Sequence, residues 1–330
     1  MSDLRNYKKK KKKSTGFKIF IGIICVLILS LGFLGGYMLN LINKVDTVEV
    51  DKENLGIDTE AIVEEHKDAE KIVNIALFGV DATDGGVGRS DATMVATLDP
   101  IHNKLKLTSF MRDSYVYIDG YGQDKLNHAY AFGGPELAIR TLNQNFGLNI
   151  ENFITVNFSS LPVIIDKLGG VDIEITADEL NYINGYINDI NNKDGRNSSS
   201  ITATGVQHLD GVQALAYSRI RYTDGGDYKR TERQRTVLEA IFKKLMSTPV
   251  TSYNSLLNDL LPYVQTNLSA TDILSLGTKV ISIGNNLEQD RFPRDGYAQG
   301  TMIDGIYYIS FDIETTKNQV KNYIFEDIKE

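Results

Sequence analysis

An uncharged apolar segment near the N-terminus constrains this chain most strongly. Ile19 to Leu41 holds 23 residues without a charge, and a helix of about 20 apolar residues spans a bilayer. The unbroken basic run from Lys8 to Lys13 precedes it, and such a flank stays on the cytoplasmic side. A cleaved signal peptide is the alternative, but its apolar core has only about 7–15 residues and ends at a small-residue cleavage site. We therefore predict a retained single-pass anchor.

This topology divides the chain into four parts. Residues 1–18 form a basic cytoplasmic tail and residues 19–41 the transmembrane helix. Residues 42–70, which are polar and acidic, are expected to form a stalk. Residues 71–330 are then a single large domain on the outer side of the cell membrane.

Cysteine content and charge exclude several classes of protein. Cys25 is the only cysteine and lies in the predicted span, so the external domain has no disulfide and depends on its core. With four histidines and no external cysteine, a structural zinc site is not expected, whereas a hard cation on carboxylates stays open. The net charge is −8 although the tail is basic, which argues against a nucleic-acid partner.

Short apolar runs alternate with helical patterns after Lys71, which predicts a layered α/β domain. The predicted strands are Lys71–Val80, Asp91–Leu98, Lys104–Phe110, Phe153–Asn157 and Val171–Ile175. The predicted helices are Pro135–Phe146, Ser160–Leu168, a short helix capped by Asp210, and Tyr228–Met246. The stretch from Asn181 to Ser200 is rich in Asn, Gly and Ser and is predicted to be a surface loop.

The first three strands are joined by short links, which favours an antiparallel meander. Asp81 follows the first strand, Asp91 opens the second, and Arg112 follows the third. In a meander these three positions share one edge of the sheet. The first link, DATDGGVGRSD, is glycine-rich and carries Arg89, so its backbone N–H groups could approach an anion.

A dense arginine cluster follows in the stretch YSRIRYTDGGDYKRTERQR. If residues 217–222 are extended, Arg219 and Arg221 point to the same side of the chain. Arg230, Arg233 and Gln234 have helical spacing and lie in the first two turns of the predicted long helix. Guanidinium groups match phosphate oxygens in pairs, so the cluster predicts a site for a compact anion such as phosphate.

With these stretches in view, the chain resembles the LytR-CpsA-Psr family of cell-wall ligases. The motifs that carry the resemblance are FGVDATDGGVGRSDATMVA, SFMRDSYVYI, DKLNHAYAFGG, DKLGGVDIEI and GVQHLDGVQALAYSRIRYTDGGDYKRTERQR. The resemblance implies a three-layer α/β/α sandwich with a mixed central sheet. It also implies transfer of a phospho-glycan, such as teichoic acid or capsule, from a polyprenyl-pyrophosphate carrier to a peptidoglycan sugar hydroxyl, with release of polyprenyl phosphate.

The resemblance also implies roles for particular residues. Asp81 and Asp91 match the carboxylates associated with Mg²⁺. The positions expected to contact the pyrophosphate are Arg89, Arg112, Lys125, Arg219, Arg221, Arg230, Arg233 and Gln234. The residues expected to act in catalysis are Arg112, Asp113, Arg219, Arg221 and Asp227, with Asp113, Asp224 and Asp227 as candidates for the base. The chain reads Ser-Phe-Met-Arg-Asp where the family usually has Ser-Ile-Pro-Arg-Asp, so it lacks the proline and keeps Arg-Asp.

Two other functions remain compatible with these residues. A pyrophosphatase would use the same anion site with water in place of the sugar hydroxyl. A non-catalytic module that binds the lipid carrier or a wall glycan would need neither metal nor base. A transcription regulator is excluded by the predicted topology, which places the globular part outside the membrane.

Overall fold

The computed structural model describes residues 46–81, 88–223, 226–247, 259–269 and 287–329, with positions 272, 275–276, 279 and 283. The predicted span at 19–41 lies outside these residues, so its structure stays a prediction. Within the part of the chain that is described, no helix is both long and apolar enough to cross a membrane.

The described residues form thirteen strands. They are β1 (Asp46–Thr47), β2 (Val73–Asp81), β3 (Arg89–Asp99), β4 (Lys104–Phe110), β5 (Tyr115–Ile118), β6 (Gly122–Lys125), β7 (Asn152–Asn157), β8 (Val171–Ile175), β9 (Gly205–Leu209), β10 (Val264–Thr266), β11 (Leu287–Phe292), β12 (Ala298–Ile303) and β13 (Ile306–Phe311). Seven of them build the central sheet in the order β1-β10-β7-β2-β3-β4-β11. The sheet is mixed, because β1–β10, β2–β7 and β4–β11 are parallel and the other pairs antiparallel.

The predicted meander is confirmed. Strands β2, β3 and β4 pair antiparallel in sequence order, with Val73 opposite Leu98 and Leu98 opposite Leu105. The tight link between β3 and β4 places Asn103 at a φ of 53°. Asparagine tolerates this left-handed conformation better than most residues, which explains why so short a turn suffices.

Seven α-helices are described. They are α1 (Thr59–Glu65), α2 (Leu126–Phe146), α3 (Leu161–Lys167), α4 (Ala177–Asp194), α5 (Gly211–Arg219), α6 (Gly226–Ser247) and α7 (Ile313–Glu326). Helix α2 is kinked at Gly133 and Gly134, and Gly134 has a φ of 63° that favours glycine. The predicted helix from Pro135 to Phe146 is therefore confirmed, whereas the half of α2 before the glycine pair was not predicted.

The predicted surface loop from Asn181 to Ser200 is wrong, because most of it belongs to α4. Thr176 and Glu179 form a reciprocal capping box at the start of this helix. Ile183, Ile187 and Ile190 recur at helical spacing and are buried. Their burial outweighs the low helix propensity of the intervening Asn and Gly residues.

Two hydrophobic cores lie on opposite faces of the central sheet. The first packs α2 and α7 against the sheet and includes Phe78, Phe110 and Phe153. The second joins α3, α4, α5 and α6, and Val156 packs against it. Val156 lies three residues after Phe153 on β7 and therefore points to the opposite face. Helical layers thus cover both sides of the sheet.

The predicted stalk at 42–70 is wrong for most of its length. Strand β1 pairs with β10 at the edge of the central sheet. Leu55, Ile62 and Ala69 are buried in the first core. The folded domain therefore begins before Lys71, by Asp46 at the latest.

A buried lysine ties the end of the last helix to the meander. Lys106 on β4 is fully buried, and its Nζ lies 2.9 Å from Asp99 Oδ2. The same ammonium donates to the carbonyl oxygens of Tyr323 at 2.7 Å and Ile324 at 3.2 Å. A cation is favourable there because the last carbonyls of α7 lack helical partners and carry partial negative charge.

Replacing this lysine should destabilise the fold. Lys106→Met removes the cation and leaves two helix carbonyls and Asp99 without it, and we expect a loss of about 3 kcal/mol in the free energy of unfolding. The exposed pair of Lys52 and Glu151 supplies the control, since Lys52→Met should cost less than about 1 kcal/mol. Denaturant unfolding of both variants measures the difference, and equal losses would contradict a structural role for Lys106.

Candidate pyrophosphate site

A β-bulge places Asp91 at the edge of the sheet. The register of β2 and β3 shifts between Gly79 and Val80, so that Gly79 faces Ala92 and Val80 faces Ser90. Asp91 is the extra residue between these pairs, and a bulge of this kind re-aims a side chain. Asp81 and Arg89 form the last pair of the same two strands. The link between them at 82–87, predicted to cradle an anion, lies outside the described residues.

Arg112 joins Asp91 directly, as the meander predicts. Its Nη1 donates to Asp91 Oδ1 at 2.7 Å, and its Nε lies 3.4 Å from Asp113 Oδ2. Asn127, at the start of α2, donates to Asp91 Oδ1 at 3.4 Å, and its backbone N–H donates to the Arg112 carbonyl at 3.1 Å. Asn127 lies in the quoted motif DKLNHAYAFGG, but sequence reasoning did not single it out.

Lys125 extends the charged network on the β6 side. Its Nζ donates to Asp113 Oδ1 at 2.8 Å, and both side chains are largely buried. The ammonium also lies 5.6 Å from the centroid of the Tyr308 ring, a cation–π contact. Asp113 therefore has cations on both carboxylate oxygens, Arg112 on one and Lys125 on the other.

The two neighbouring arginines do not lie on a strand, so that hypothesis is wrong. Helix α5 continues through Arg219, because Asp210 and Gln213 form a capping box that starts it. The helix ends at Ile220, and Arg221 follows in an exposed position. The two side chains are thus presented by a helix end and the adjoining loop.

Arg233, predicted to contact the pyrophosphate, bonds to protein groups through its guanidinium. Its Nε donates to Glu179 Oε1 at 2.7 Å and its Nη2 to Thr223 Oγ1 at 2.8 Å. Its Nη1 donates at 3.2 Å to the carbonyl of Ile220, which lies between Arg219 and Arg221. These bonds assign Arg233 to positioning the loop that carries Arg221. Sequence reasoning did not identify Glu179, although it closes the capping box of α4.

Helix α6 brings two more predicted residues to the same end of the sheet. Arg230 and Gln234 are both buried, one turn apart. Thr231, beside Arg230, donates to the sulfur of Met111 at 3.6 Å. Met111 directly precedes Arg112, so this contact fixes the first turns of α6 at the end of β4.

The electrostatics of Asp91 show that the arginines converge. Burial alone would raise the pKa of the Asp91 carboxyl. The positive charge and hydrogen bond of Arg112, followed by the charges of Arg230 and Arg221, outweigh burial and hold that pKa below its ordinary value. Three arginines from three separate elements therefore act on one carboxylate.

Two predicted acids are not described in atomic terms. Asp224 lies outside the described residues, and Asp227 lies in the first turn of α6 with its side chain outside them. Their suggested roles as base or catalytic acid stay predictions. Among the described side chains, no group of three or more His, Cys, Asp or Glu residues is arranged to hold a metal ion.

The lowered pKa of Asp91 has a consequence for stability. A carboxyl whose pKa is lower in the folded than in the unfolded state stabilises the fold above its unfolded value of about 3.9. That contribution is lost as the pH falls through the folded pKa. We expect Asp91→Asn to unfold more easily than the parent at pH 5–6 and to approach it towards pH 2. Chemical unfolding across this pH range measures the difference, and a pH-independent difference would contradict the charge interaction.

Comparison with known proteins identifies the family of this chain. A profile of the LytR_cpsA_psr family matches residues 38–324. The TagU polyisoprenyl-teichoic acid–peptidoglycan teichoic acid transferase of Enterococcus faecalis is 32% identical over 321 residues, covering 93% of this chain and 97% of that relative. TagU of Bacillus cereus is 33% identical, covering 87% and 90%.

Solved structures show the same fold. Bacillus subtilis TagT superposes with a TM-score of 0.60 at 26% identity, covering 77% of this chain and 91% of TagT. A structure of TagT (YwtF) with bound octaprenyl pyrophosphate lipid has a TM-score of 0.57 at 25% identity, covering 77% and 90%. Both the profile and the curated relatives span most of the chain, and the chain therefore belongs to the LytR-CpsA-Psr family.

Proposed function

We propose that this protein transfers a phospho-glycan, teichoic acid or a related wall polymer, from a polyprenyl-pyrophosphate carrier to a sugar hydroxyl of peptidoglycan. The observation that carries the proposal is the convergence of Arg112, Arg221 and Arg230 on Asp91. Guanidinium groups from three elements gathered at one sheet edge form a site for an anion with several charged oxygens. A pyrophosphate supplies that charge in a form that guanidinium groups bind in pairs.

The relatives support the choice of substrate. TagU relatives are named as transferases of teichoic acid to peptidoglycan from a polyisoprenyl carrier, and they match almost the whole chain. TagT has been solved with octaprenyl pyrophosphate lipid at 25% identity. The expected N-terminal span would keep the site beside a lipid confined to the same membrane, with the domain on the outer side. The peptidoglycan acceptor is inferred from the names of the relatives.

In the proposed reaction, the acceptor hydroxyl attacks the phosphorus on the sugar side of the pyrophosphate. A new oxygen–phosphorus bond forms, the bond to the bridging oxygen breaks, and polyprenyl phosphate leaves with that oxygen. Arg112, Arg221 and Arg230 hold the phosphoryl oxygens and neutralise the charge that moves to the leaving group. Asp113, Asp224 and Asp227 are the candidates for the base that accepts the hydroxyl proton as the new bond forms.

Magnesium fits the residues where β2 ends and β3 begins. Mg²⁺ is usually held by one or two carboxylates together with substrate phosphates, not by a cage of protein ligands. Asp81 is exposed at the end of β2, and Asp91 is aimed to this edge by the bulge, so these two would hold the ion. When bound, the ion would polarise the pyrophosphate oxygens as a Lewis acid.

Removing an exposed arginine tests the proposal without unfolding the protein. Arg221→Met deletes a phosphate ligand that the fold does not bury, and one charge-assisted bond is worth about 1.5–3 kcal/mol. We expect kcat/KM for transfer to fall at least about tenfold. Arg196→Met is the matched control, because Arg196 pairs with Asp166 on the surface and has no part in the site.

The products identify the class of reaction in the same assay. Phosphodiester-linked polymer on peptidoglycan supports transfer, whereas free phospho-glycan without acceptor attachment would indicate a pyrophosphatase. Lipid retention without any product would indicate a binding module. An Arg221→Met enzyme with parental kcat/KM would remove the basis for the proposed site.

Metal dependence is tested through the carboxylates. Asp91→Asn keeps the size of the side chain and removes the charge that a hard cation requires. We expect the variant to need a higher Mg²⁺ concentration for half-maximal activity. Asp172→Asn, on an exposed aspartate paired with His208, is the control. Superimposable Mg²⁺ titrations of parent and Asp91→Asn would refute the metal role.

A further inference from the structure

Helix α6 runs antiparallel along β4 and β11, and two contacts fix its alignment. Thr231 contacts Met111 at 3.6 Å, and Gln289 donates to Glu239 at 3.0 Å. Gln289 is the register partner of Leu107. Between the two contacts, the helix advances eight residues, from Thr231 to Glu239, and the strand side advances four, from Met111 back to Leu107. The two lengths agree, about 12 Å along the helix and about 13 Å along the strand.

Arg235 lies halfway between these two contacts. The strand row at that level is formed by Ser109 and Arg291, which are register partners on β4 and β11. Both point to the face covered by α6, because they alternate with Phe110 and Phe292 of the first core. A group under α6 is therefore formed by Arg235, Arg291 and Ser109. It lies at the level of Ser109, two residues before Met111 in the chain.

The two arginines of this group are close, and one of them has no counter-ion. Arg291 pairs with Asp295 through Nη2 at 2.7 Å, and its guanidinium lies 4.1 Å from the ring centroid of Tyr228. Arg235 has no ion-pair partner among the residues described. Burial first, and then the positive charge of Arg291, lowers the pKa of the Arg235 guanidinium. The site thus disfavours the charge that Arg235 carries.

The neighbouring carboxylates do not supply the missing negative charge. Each has a cation of its own within 3 Å: Glu232 with Lys229, Glu239 with Lys243, and Asp290 with Arg294. Glu232 and Asp290 still attract Arg235 at longer range. Among the described side chains, no ion pair joins any of these three carboxylates to the Arg235 guanidinium.

Hydrogen-bond donors in this group also lack acceptors. The buried atoms without a hydrogen-bond partner include Nε and Nη1 of Arg235, Nη1 of Arg291 and Oγ of Ser109. All four can donate. Buried polar groups in folded proteins are nearly always paired, so a set of convergent donors calls for an acceptor.

We propose that Arg235, Arg291 and Ser109 form a second anion subsite that binds one compact oxyanion of the phosphate class. Arg235 is partly exposed and β11 is the edge strand, so the anion enters from the surface beside this strand. The subsite lies about 10 Å along β4 from Arg112, three residues away. It shares no residue with the proposed pyrophosphate site, and its occupancy does not depend on the transfer reaction.

Counting bound phosphate tests the subsite directly. Full-length protein in detergent is dialysed against labelled inorganic phosphate at constant ionic strength. We expect the parent to bind two phosphates, Arg221→Met to keep the one at Arg235, and Arg235→Met to lose it. Lys229→Met, on the exposed side of the same helix, is the control and should bind as the parent does. Equal binding by the parent and Arg235→Met, or loss of this phosphate in the control, overturns the proposal.

Thermal unfolding provides a second readout, because the difference in melting temperature between Arg235→Met and the parent should change sign between two buffers. In chloride buffer, Arg235→Met should melt above the parent, because it removes an unpaired guanidinium beside Arg291. In phosphate buffer the order should reverse, because the parent alone fills the subsite. If Arg235→Met melts lower in both buffers by the same amount, Arg235 is a packing residue and the proposal fails.

Ser109→Ala separates the hydroxyl donor from the charges. It should weaken phosphate binding at Arg235 while leaving the Arg221-dependent phosphate unchanged. A glycerol phosphodiester then distinguishes the two sources of the anion. Displacement of the labelled phosphate by the diester assigns the subsite to the phosphodiesters of a polymer, and retention assigns it to free phosphate.

Discussion

The ion pair between Arg112 and Asp91 is the interaction on which the site depends. Arginines from three elements converge at one sheet edge, and their mutual repulsion must be offset before a ligand arrives. Asp91 helps to offset this repulsion, and it is in place because the bulge in β3 adds a residue between the pairs at Gly79 and Val80. In the proposed reaction, the pyrophosphate then binds to the same guanidinium groups.

A second layer of bonds keeps the exposed part of the site in place. Arg221 lies in a loop after α5, and an exposed loop alone would leave its guanidinium without a fixed position. Arg233 donates to the carbonyl of Ile220 and is itself held by Glu179 across α4 and α6. Because preorganised donors lose less entropy on binding, this buried pair supports function without touching the ligand.

The sequence predicts the sheet edge better than the helices that complete the site. Asp91 and Arg112 could be placed together because strand direction and short links suffice to define a meander. The extended form expected for residues 217–222 is wrong, because a capping box at Asp210 starts a helix that continues through Arg219. The surface loop predicted for residues 181–200 is wrong because helix α4 is stabilised by the burial of its isoleucines and not by local helix propensity. Glu179 could not be inferred, since its partner is 54 residues away.

The arginines between 219 and 235 are alike in the motif, and only their hydrogen bonds separate them. Arg233 donates from all three nitrogens to protein groups, so it needs no ligand. Arg221 is exposed, so water satisfies it at little cost until an anion binds. Arg235 has buried Nε and Nη1 donors without acceptors, and such donors cost free energy whenever no ligand is present. Buried guanidinium donors without acceptors therefore indicate a ligand more strongly than an exposed guanidinium does.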